Sequence, residues 1–240
     1  MKHLRSAIQF LTIIPLGKEG DFSPEKMLPY FPLAGLLIGL FLAFFDMIVL
    51  QFWPAPVAAV LDTIFLVILT GALHMDGLCD TADGLYGGST KEKALSIMKD
   101  SRAGAIGVVA VICCFALKYA GFLGIESNRM LLLIIVPAYA RSGTLFGFRF
   151  LNYGRPQGGT GHAFFHQQVK ISTFWGMLIP FFLSFLLGWK FILINLCFLT
   201  AVVAILTFYK KRMGCITGDM LGAMTEIIEA LLFLTGAINI

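Results

Sequence analysis

The sequence predicts an all-α membrane protein, a polytopic bundle of about seven transmembrane helices joined by short cytoplasmic helices. Of its 240 residues, 58% are hydrophobic and only 13% are charged. A chain this apolar falls outside the usual composition of water-soluble domains. Its apolar residues also occur in long runs, and its Lys and Arg residues fall between those runs. These three observations together exclude an ordinary soluble enzyme or binding domain.

Seven apolar runs are long enough to cross about 30 Å of hydrocarbon, which takes roughly 20 helical residues. They lie at residues 33–52, 54–74, 105–124, 130–148, 172–188, 190–208 and 222–240. Because lipid offers no hydrogen-bond partners to the backbone, each run is predicted to be a helix. Residues 1–240 are therefore treated as a single integral membrane domain.

The positions of Lys and Arg predict the orientation, because cytoplasmic loops retain positive charge. In a seven-span arrangement most of these residues share one side, and the opposite loops keep only Arg129 and Lys190. The predicted location is the cytoplasmic (inner) membrane, with the active site facing the cytoplasm. The net charge of +4 reflects this topology, and no nucleic acid is expected as a partner.

The N-terminal segment is predicted to be a retained amphipathic helix on the membrane surface. Ala7, Ile8 and Leu11 are spaced for one helical face, and Arg5 and Gln9 fall on the other. The apolar stretch lacks the small-residue cleavage pattern of a signal peptide.

Residues 75–104 are predicted to form a cytoplasmic, acidic catalytic segment after the second span. Asp76, Asp80 and Asp83 stand at i, i+4 and i+7, so they share one face if the second span continues as a helix. Three such like charges repel one another and call for a compensating cation. Oxygen ligands without a His or Cys cluster favour Mg²⁺, or Mn²⁺, over Zn²⁺. The alternative is a solvated helix end with three surface aspartates.

Further candidate site residues surround this triad. Gly77 and Gly84 each follow a carboxylate and would let a phosphate or a partner helix approach closely. The later run Lys99-Asp100-Ser101-Arg102 places a fourth carboxylate beside two cations and a hydroxyl. Lys and Arg beside a metal site suit anionic oxygen ligands, and Arg can bind a phosphate through two hydrogen bonds.

Acidic residues also occur near the last span. Asp219, Glu226 and Glu229 fall on one helical stripe. Carboxylates in a membrane helix are costly and should face a polar interior or a partner. Asp219 is predicted to complete the acidic site or to contact substrate. For Glu226 and Glu229, pairing with Arg141 and contact with substrate both stay open.

Three other groups are expected to carry no metal chemistry. Asp46 and Asp62 lie toward the outer ends of their helices and are predicted to be solvated or to snorkel to the interface. His162 and His166 stand at i, i+4 without a nearby carboxylate, so their loop is predicted to be a lid or a specificity loop. The five Cys residues are scattered without a Cys-x-x-Cys pair.

At these residues the chain closely resembles the cobalamin-5′-phosphate synthases, also called adenosylcobinamide-GDP ribazoletransferases. The stretches that carry the resemblance are AIQFLTIIP, FPLAGLLIG, HMDGLCDTADG, IMKDSRAGAIG and TGDMLGAMTEIIE. Cys79 stands where the family pattern is expected to have Ala. The resemblance implies a phosphotransferase of late cobalamin biosynthesis. It would join adenosylcobinamide-GDP to α-ribazole or α-ribazole 5′-phosphate, release GMP and need Mg²⁺.

On this basis we predict a role for each candidate residue. Asp76, Asp80, Asp83 and Asp100 would hold one or two Mg²⁺, and Asp83 or Asp100 would also accept the ribazole hydroxyl proton. Lys99 and Arg102 would steady the diphosphate, and Ser101, Gly77, Gly84, Asp219 and Glu226 would help to bind substrate. Membrane lipid is an expected partner. Self-association, or association with other corrinoid-assembling enzymes, is compatible with the sequence.

Two other functions fit parts of the sequence. Asp80-Thr81-Ala82-Asp83-Gly84 matches the start of the motif of CDP-alcohol phosphatidyltransferases, which make lipid head groups, but the rest of that motif is missing. A cation transporter could use the same aspartates as an ion path. Transport sites usually lie near the bilayer midplane, however, whereas these aspartates are predicted at the cytoplasmic rim.

Overall fold

The computed structural model describes residues 2–17, 23–155, 161–165 and 168–239. In these ranges the regular structure is helical, apart from an isolated bridge between Tyr153 and Ile216. The α-helices are α1 (Lys2–Leu11), α2 (Pro24–Met27), α3 (Phe31–Phe52), α4 (Ala55–Leu69), α5 (Leu73–Gly87), α6 (Lys91–Ile97), α7 (Ala105–Gly124), α8 (Arg129–Phe150), α9 (Leu178–Ser184), α10 (Lys190–Arg212) and α11 (Gly218–Gly236). Short 3₁₀ helices cover Leu28–Tyr30, His162–Phe165, Ile171–Met177 and Phe185–Leu187. The predicted all-α class is confirmed.

Four continuous helical segments are long and apolar enough to cross a membrane: Pro24–Phe52, α7, α8 and α10. A fifth span exists if α4 and α5 are counted together across the bend between them. The polytopic transmembrane bundle is thus confirmed, whereas the predicted count of about seven spans is not. The run at 172–188 is a series of short helices, and α11 carries three carboxylates among its 19 residues.

The second predicted span does not continue straight into the acidic segment. Helix α4 ends at Leu69, and the chain turns through 91° before α5 begins. Gly71 (φ +59°) and Ala72 (φ +58°) adopt left-handed backbone conformations at the turn, which a right-handed helix cannot continue through. The prediction of one continuous helix is therefore wrong, and the acidic residues lie on a separate helix that crosses the direction of α4.

Helix α11 lies at the centre of the bundle. It packs against α5, α7, α8 and α10, and most of its side chains are buried. Around it, α3 packs along α8, where Gly35 and Gly39 bring the two backbones close together. Two of its carboxylates, Glu226 and Glu229, are consequently buried, so they need partners on neighbouring helices.

The N-terminal amphipathic helix is present as α1, but its apolar face contacts protein. Ala7, Ile8 and Leu11 are buried, and α1 packs against α3. The apolar face predicted to lie on the membrane surface is therefore packed inside the protein. Its last turn instead forms part of the wall of a cavity.

Candidate active site

A cavity that opens to solvent lies where α1, α3, α5, α8 and α11 meet. One part of its wall is acidic and rich in glycine, with Asp76, Gly77, Gly218, Asp219 and Gly222. Another part is aromatic, with Phe10, Phe31, Phe148 and Phe164 beside His74, Arg141 and Thr144. Polar groups that converge in a cavity with apolar walls are typical of a small-molecule site.

The three aspartates of the predicted triad all lie on α5. Asp76 is exposed, Asp80 is half-buried and Asp83 is buried. The charges of Asp76, Asp83 and Asp219 all act on the Asp80 carboxylate, and among the described residues the charge of Arg155 opposes them. The structure thus brings Asp219 to the acidic helix, which was one of the two roles predicted for that residue.

Helices α5 and α11 approach closely through glycine. A Cβ atom added to Gly77 would lie only 2.7 Å from the backbone oxygen of Asp219. One turn along α11, Gly222 faces the backbone of His74. At Gly84 an added Cβ would lie 2.9 Å from the backbone oxygen of Ala94 on α6. Of the two uses predicted for Gly77 and Gly84, the structure shows the approach of a partner helix.

Asp219 is held in place by Arg155, a loop residue that sequence analysis counted only as part of the positive side. The Arg155 guanidinium lies 2.7 Å from the Asp219 carboxylate. The loop is joined to the segment just before α11 by backbone hydrogen bonds, in which Gly154 donates to Ile216 at 2.8 Å and Ile216 donates to Asn152 at 2.9 Å. Arg155 is therefore a site residue that no local sequence signal identifies.

The Asp83 carboxylate links α5 to the start of α7. Its two carboxylate oxygens accept hydrogen bonds from the backbone N–H groups of Gly104 (2.6 Å) and Gly107 (2.8 Å). Gly104 is the N-cap of α7, so the carboxylate satisfies backbone donors at the start of that helix. This arrangement joins α5 to α7 and leaves Asp83 less free than Asp76 or Asp80 to bind a ligand.

The predicted phosphate-binding run lies in the exposed connection between α6 and α7. Arg102 contacts Asp100 at 2.6 Å, and the Arg102 side chain is 87% exposed. This arginine lowers the pKa of Asp100 to about 2 through side-chain and backbone hydrogen bonds. Asp100 is therefore a weak proton acceptor near neutral pH, and it is absent from the described residues that line the cavity.

A buried ion-pair network lies behind the cavity. Lys118 of α7 contacts Glu226 and Glu229 of α11, each at 2.6 Å, and Arg141 of α8 pairs with Glu229. The predicted pairing of Arg141 is thus found on Glu229. Glu226 pairs with Lys118 instead, and it is not among the described residues that line the cavity. Sequence analysis missed Lys118, although a lone cation inside an apolar helix is itself a signal.

Asp46 and Asp62 are not solvated, and that prediction is wrong. Both are buried, and Arg129 contacts Asp46 at 2.5 Å and Asp62 at 3.2 Å. Arg129 also donates to the backbone oxygen of Phe122. Helices α3, α4 and α8 meet here, so one guanidinium shared by two carboxylates replaces solvent.

The donor chemistry of the acidic wall fits a hard divalent cation. Asp76 and Asp80 offer only oxygen ligands, one helical turn apart, and Asp219 adds a third carboxylate nearby. As they stand, the described residues contain no group of three or more His, Cys, Asp or Glu side chains that could hold a metal ion. Of the predicted His162–His166 pair, His166 lies outside the described residues.

Comparison with known proteins gives one consistent result. The family model for cobalamin-5-phosphate synthase matches residues 3–237. Adenosylcobinamide-GDP ribazoletransferase from Clostridium novyi (strain NT) is 34% identical, with 98% of this chain and 96% of that protein aligned. The protein of that name from Desulfitobacterium hafniense (strain Y51) is 36% identical, with 99% of this chain and 96% of that protein aligned. The one from Pseudomonas putida (strain W619) is 37% identical, with 93% of each chain aligned. No solved structure gives a significant match. The chain therefore belongs to the cobalamin-5-phosphate synthase family.

Proposed function

We propose that this chain is a phosphotransferase that joins adenosylcobinamide-GDP to α-ribazole or α-ribazole 5′-phosphate. The products are adenosylcobalamin or its 5′-phosphate, together with GMP. The observation that carries this proposal is the agreement of relatives named adenosylcobinamide-GDP ribazoletransferase over nearly the whole chain. The acidic cavity wall supplies chemistry suited to such a reaction.

In the proposed step, a hydroxyl oxygen of α-ribazole attacks the phosphorus that is linked to cobinamide. The new P–O bond forms as the bridging P–O bond breaks, and GMP leaves with that electron pair. The hydroxyl proton passes to a carboxylate of the acidic wall or to water. Asp76 and Asp80 are the best placed acceptors, because Asp83 is engaged by α7 and Asp100 by Arg102.

The proposed cofactor is Mg²⁺, with Mn²⁺ as a substitute. Asp76 at the cavity wall and Asp80 one helical turn further along α5 would hold it, and Asp83 and Asp100 remain candidate ligands from the sequence pattern. When bound, the cation neutralises charge on the diphosphate and on the departing GMP. The carboxylates repel one another without it, and Arg155 is the only cation acting on Asp80 among the described residues.

Cations around the cavity are proposed to bind the diphosphate. Arg155 lies beside Asp219 at the acidic wall. Lys99, Ser101 and Arg102 lie on the exposed connection before α7, where they can reach a bulky substrate that does not enter the cavity completely. Arginine can contact phosphate oxygens through two parallel hydrogen bonds, which favours a fixed orientation.

The proposed setting is the cytoplasmic membrane, with the acidic wall facing the cytoplasm. The support is the excess of Lys and Arg in the segments on that side of the predicted topology, including the α6–α7 connection and the end of α10. The exposed apolar side chains of α3, α7 and α10 are proposed to contact lipid.

The test is GMP release by the purified protein in liposomes, supplied with adenosylcobinamide-GDP and α-ribazole 5′-phosphate. We expect release that is coupled to a cobalamin product, that stops with EDTA and that returns with Mg²⁺ or Mn²⁺. CDP-diacylglycerol is expected to neither compete nor react. Transfer from CDP-diacylglycerol, or uptake of labelled Mg²⁺ without any GMP release, would overturn the proposal.

A further inference from the structure

Four phenylalanine side chains from separate parts of the chain meet in the aromatic part of the cavity wall. Phe10, Phe31, Phe148 and Phe164 form this group, which we call the aromatic box. Phe10 and Phe31 stack with ring centroids 5.9 Å apart, and Phe148 and Phe164 lie 5.5 Å apart. The box therefore forms an apolar, aromatic part of the cavity wall, and such a wall suits a planar ring.

Two polar atoms in the same wall have no hydrogen-bond partner among the described residues. They are Nε of Arg141 and Nδ1 of His74, and both are buried. Arg141 is 1% exposed and His74 is 5% exposed. The Nη1 group of Arg141 already contacts Glu229 and the backbone oxygen of Pro137. Nε of Arg141 is a donor, whereas Nδ1 of an uncharged imidazole donates or accepts according to its tautomer. Unpartnered buried polar atoms are costly, so Nε of Arg141 points to a ligand that brings an acceptor.

The charge around Arg141 limits what that ligand can be. Arg141 and Lys118 are matched by Glu226 and Glu229 in the buried network, so two cations face two anions. The inner wall thus offers a hydrogen-bond donor without excess positive charge. A phosphate group needs such an excess, whereas a neutral ring nitrogen needs only the donor.

We infer that the aromatic box binds the benzimidazole base of α-ribazole, an inference that rests on the proposed function. The base stacks against the phenylalanines, and its free ring nitrogen accepts a hydrogen bond from Nε of Arg141. Nδ1 of His74 supplies a second polar contact. The ribose then extends toward Asp76 and Asp219, which line the same cavity.

Guanine, the base of the GDP group of the other substrate, fits this wall less well. Its edge carries several donors and acceptors, and burying them without partners is unfavourable. The aromatic part of the wall offers few polar groups beyond His74 and Arg141, since Thr144 already donates to the backbone oxygen of Arg141 at 2.7 Å. A benzimidazole has one free ring nitrogen and an otherwise apolar outline.

The first test measures α-ribazole binding without turnover, by isothermal titration of the detergent-solubilised full chain in the absence of adenosylcobinamide-GDP. Phe148→Leu keeps an apolar side chain but removes the ring, and it is expected to weaken binding about tenfold. Phe146→Leu is the matched control on the same helix, because Phe146 packs against Phe174 and Phe198 outside the box. The control is expected to bind like the wild type. Equal binding by wild type and Phe148→Leu would overturn the inference.

The second test changes the ligand instead of the protein. An indole riboside, in which a C–H group replaces the free ring nitrogen, is expected to bind the wild type about tenfold more weakly than α-ribazole. Equal affinity for the indole riboside and for α-ribazole would rule out the proposed hydrogen bond from Nε of Arg141. A Phe148→Leu variant with normal α-ribazole affinity but a raised KM for adenosylcobinamide-GDP would place guanine in the box and overturn the assignment.

These outcomes are separate from those of the proposed function. If the protein releases GMP but Phe148→Leu leaves its affinity for α-ribazole unchanged, the proposed function stands and this subsite is ruled out. If the protein binds α-ribazole through the aromatic box but releases no GMP, the subsite stands and the proposed function is ruled out.

Discussion

Asp83 and Gly104 are joined by a 2.6 Å hydrogen bond from the glycine backbone N–H to the aspartate carboxylate. Gly107 donates to the second carboxylate oxygen at 2.8 Å. A Cβ atom on Gly104 would lie 2.5 Å from the Asp83 carboxylate, so only glycine permits this approach without displacement. Through these contacts the acidic helix α5 and the first turn of α7 hold each other in register.

This relationship predicts different outcomes for two aspartates of the same helix. Asn in place of Asp83 presents an NH₂ group to a backbone N–H donor, so Asp83→Asn is expected to lower the free energy of unfolding by about 1–3 kcal/mol. Asp80→Asn is expected to keep the stability and to lose GMP release. Thermal unfolding in detergent and a GMP assay measure both variants. A wild-type melting temperature for Asp83→Asn would contradict the structural role.

The glycine contact between α5 and α11 makes a second prediction. In Gly77→Ala the new methyl group would lie 2.7 Å from the Asp219 backbone oxygen, so α11 must shift and carry Asp219 with it. We expect a loss of about 1–3 kcal/mol of stability together with reduced GMP release. Gly218→Ala is the control, because a Cβ atom there meets nothing within 4 Å. If both variants behave alike, the close approach does not matter.

The buried network predicts non-additive effects. Lys118→Met leaves Glu226 and Glu229 with one cation between them, and a broken buried ion pair costs about 3–5 kcal/mol. Glu226→Gln alone leaves an excess of positive charge. The double variant Lys118→Met/Glu226→Gln restores the balance, since Arg141 then faces Glu229. Its unfolding free energy, from denaturant titration in detergent, is expected to exceed the value that adding the two single losses predicts.

The ion pair between Asp100 and Arg102 makes a prediction about pH. Because Arg102 lowers the pKa of Asp100 to about 2, the pair's contribution is present above the ordinary Asp pKa of about 3.9 and is lost as the pH falls toward 2. GMP release between about pH 5 and pH 9 should therefore show no titration of Asp100.

Arg102→Ala tests this prediction. Without the arginine the pKa of Asp100 returns toward about 3.9, which is still below the assay range, so the acid limb of the rate profile should not move. The KM for adenosylcobinamide-GDP is expected to rise about tenfold if Arg102 binds phosphate. A displaced acid limb would show that Asp100 takes part in proton transfer.

The part of the site that could be predicted from the sequence is the part set by local spacing. Asp76, Asp80 and Asp83 share a helix because their separation matches the helical repeat. The contact of Asp219 with this helix depends on how α11 packs against α5. Gly77 and Gly222 allow that packing, but their presence in the sequence does not predict it. Arg155 reaches Asp219 only through the fold of its loop.

Contacts between residues that are distant in the chain explain why some of the predictions are wrong. Asp46 and Asp62 are predicted to be solvated or to snorkel because they lie toward the outer ends of their helices, whereas in the structure Arg129 contacts both carboxylates. The bend after α4 has one local signal, Gly71, but its neighbour Ala72 is an unusual residue for a left-handed conformation. The predicted count of about seven spans is not confirmed, and one reason is that the length of an apolar run does not reveal a turn within it.

The network behind the cavity also bears on how the chain is built into the bilayer. Lys118 and Arg141 emerge from the ribosome long before Glu226 and Glu229, so α7 and α8 enter the membrane with charges that have no counter-ion. Their final burial with matched charges has to wait for α11, which follows α7 and α8 in the chain. The insertion of α11 thus completes the buried network, and a nascent chain that stops before it holds two cations without their counter-ions.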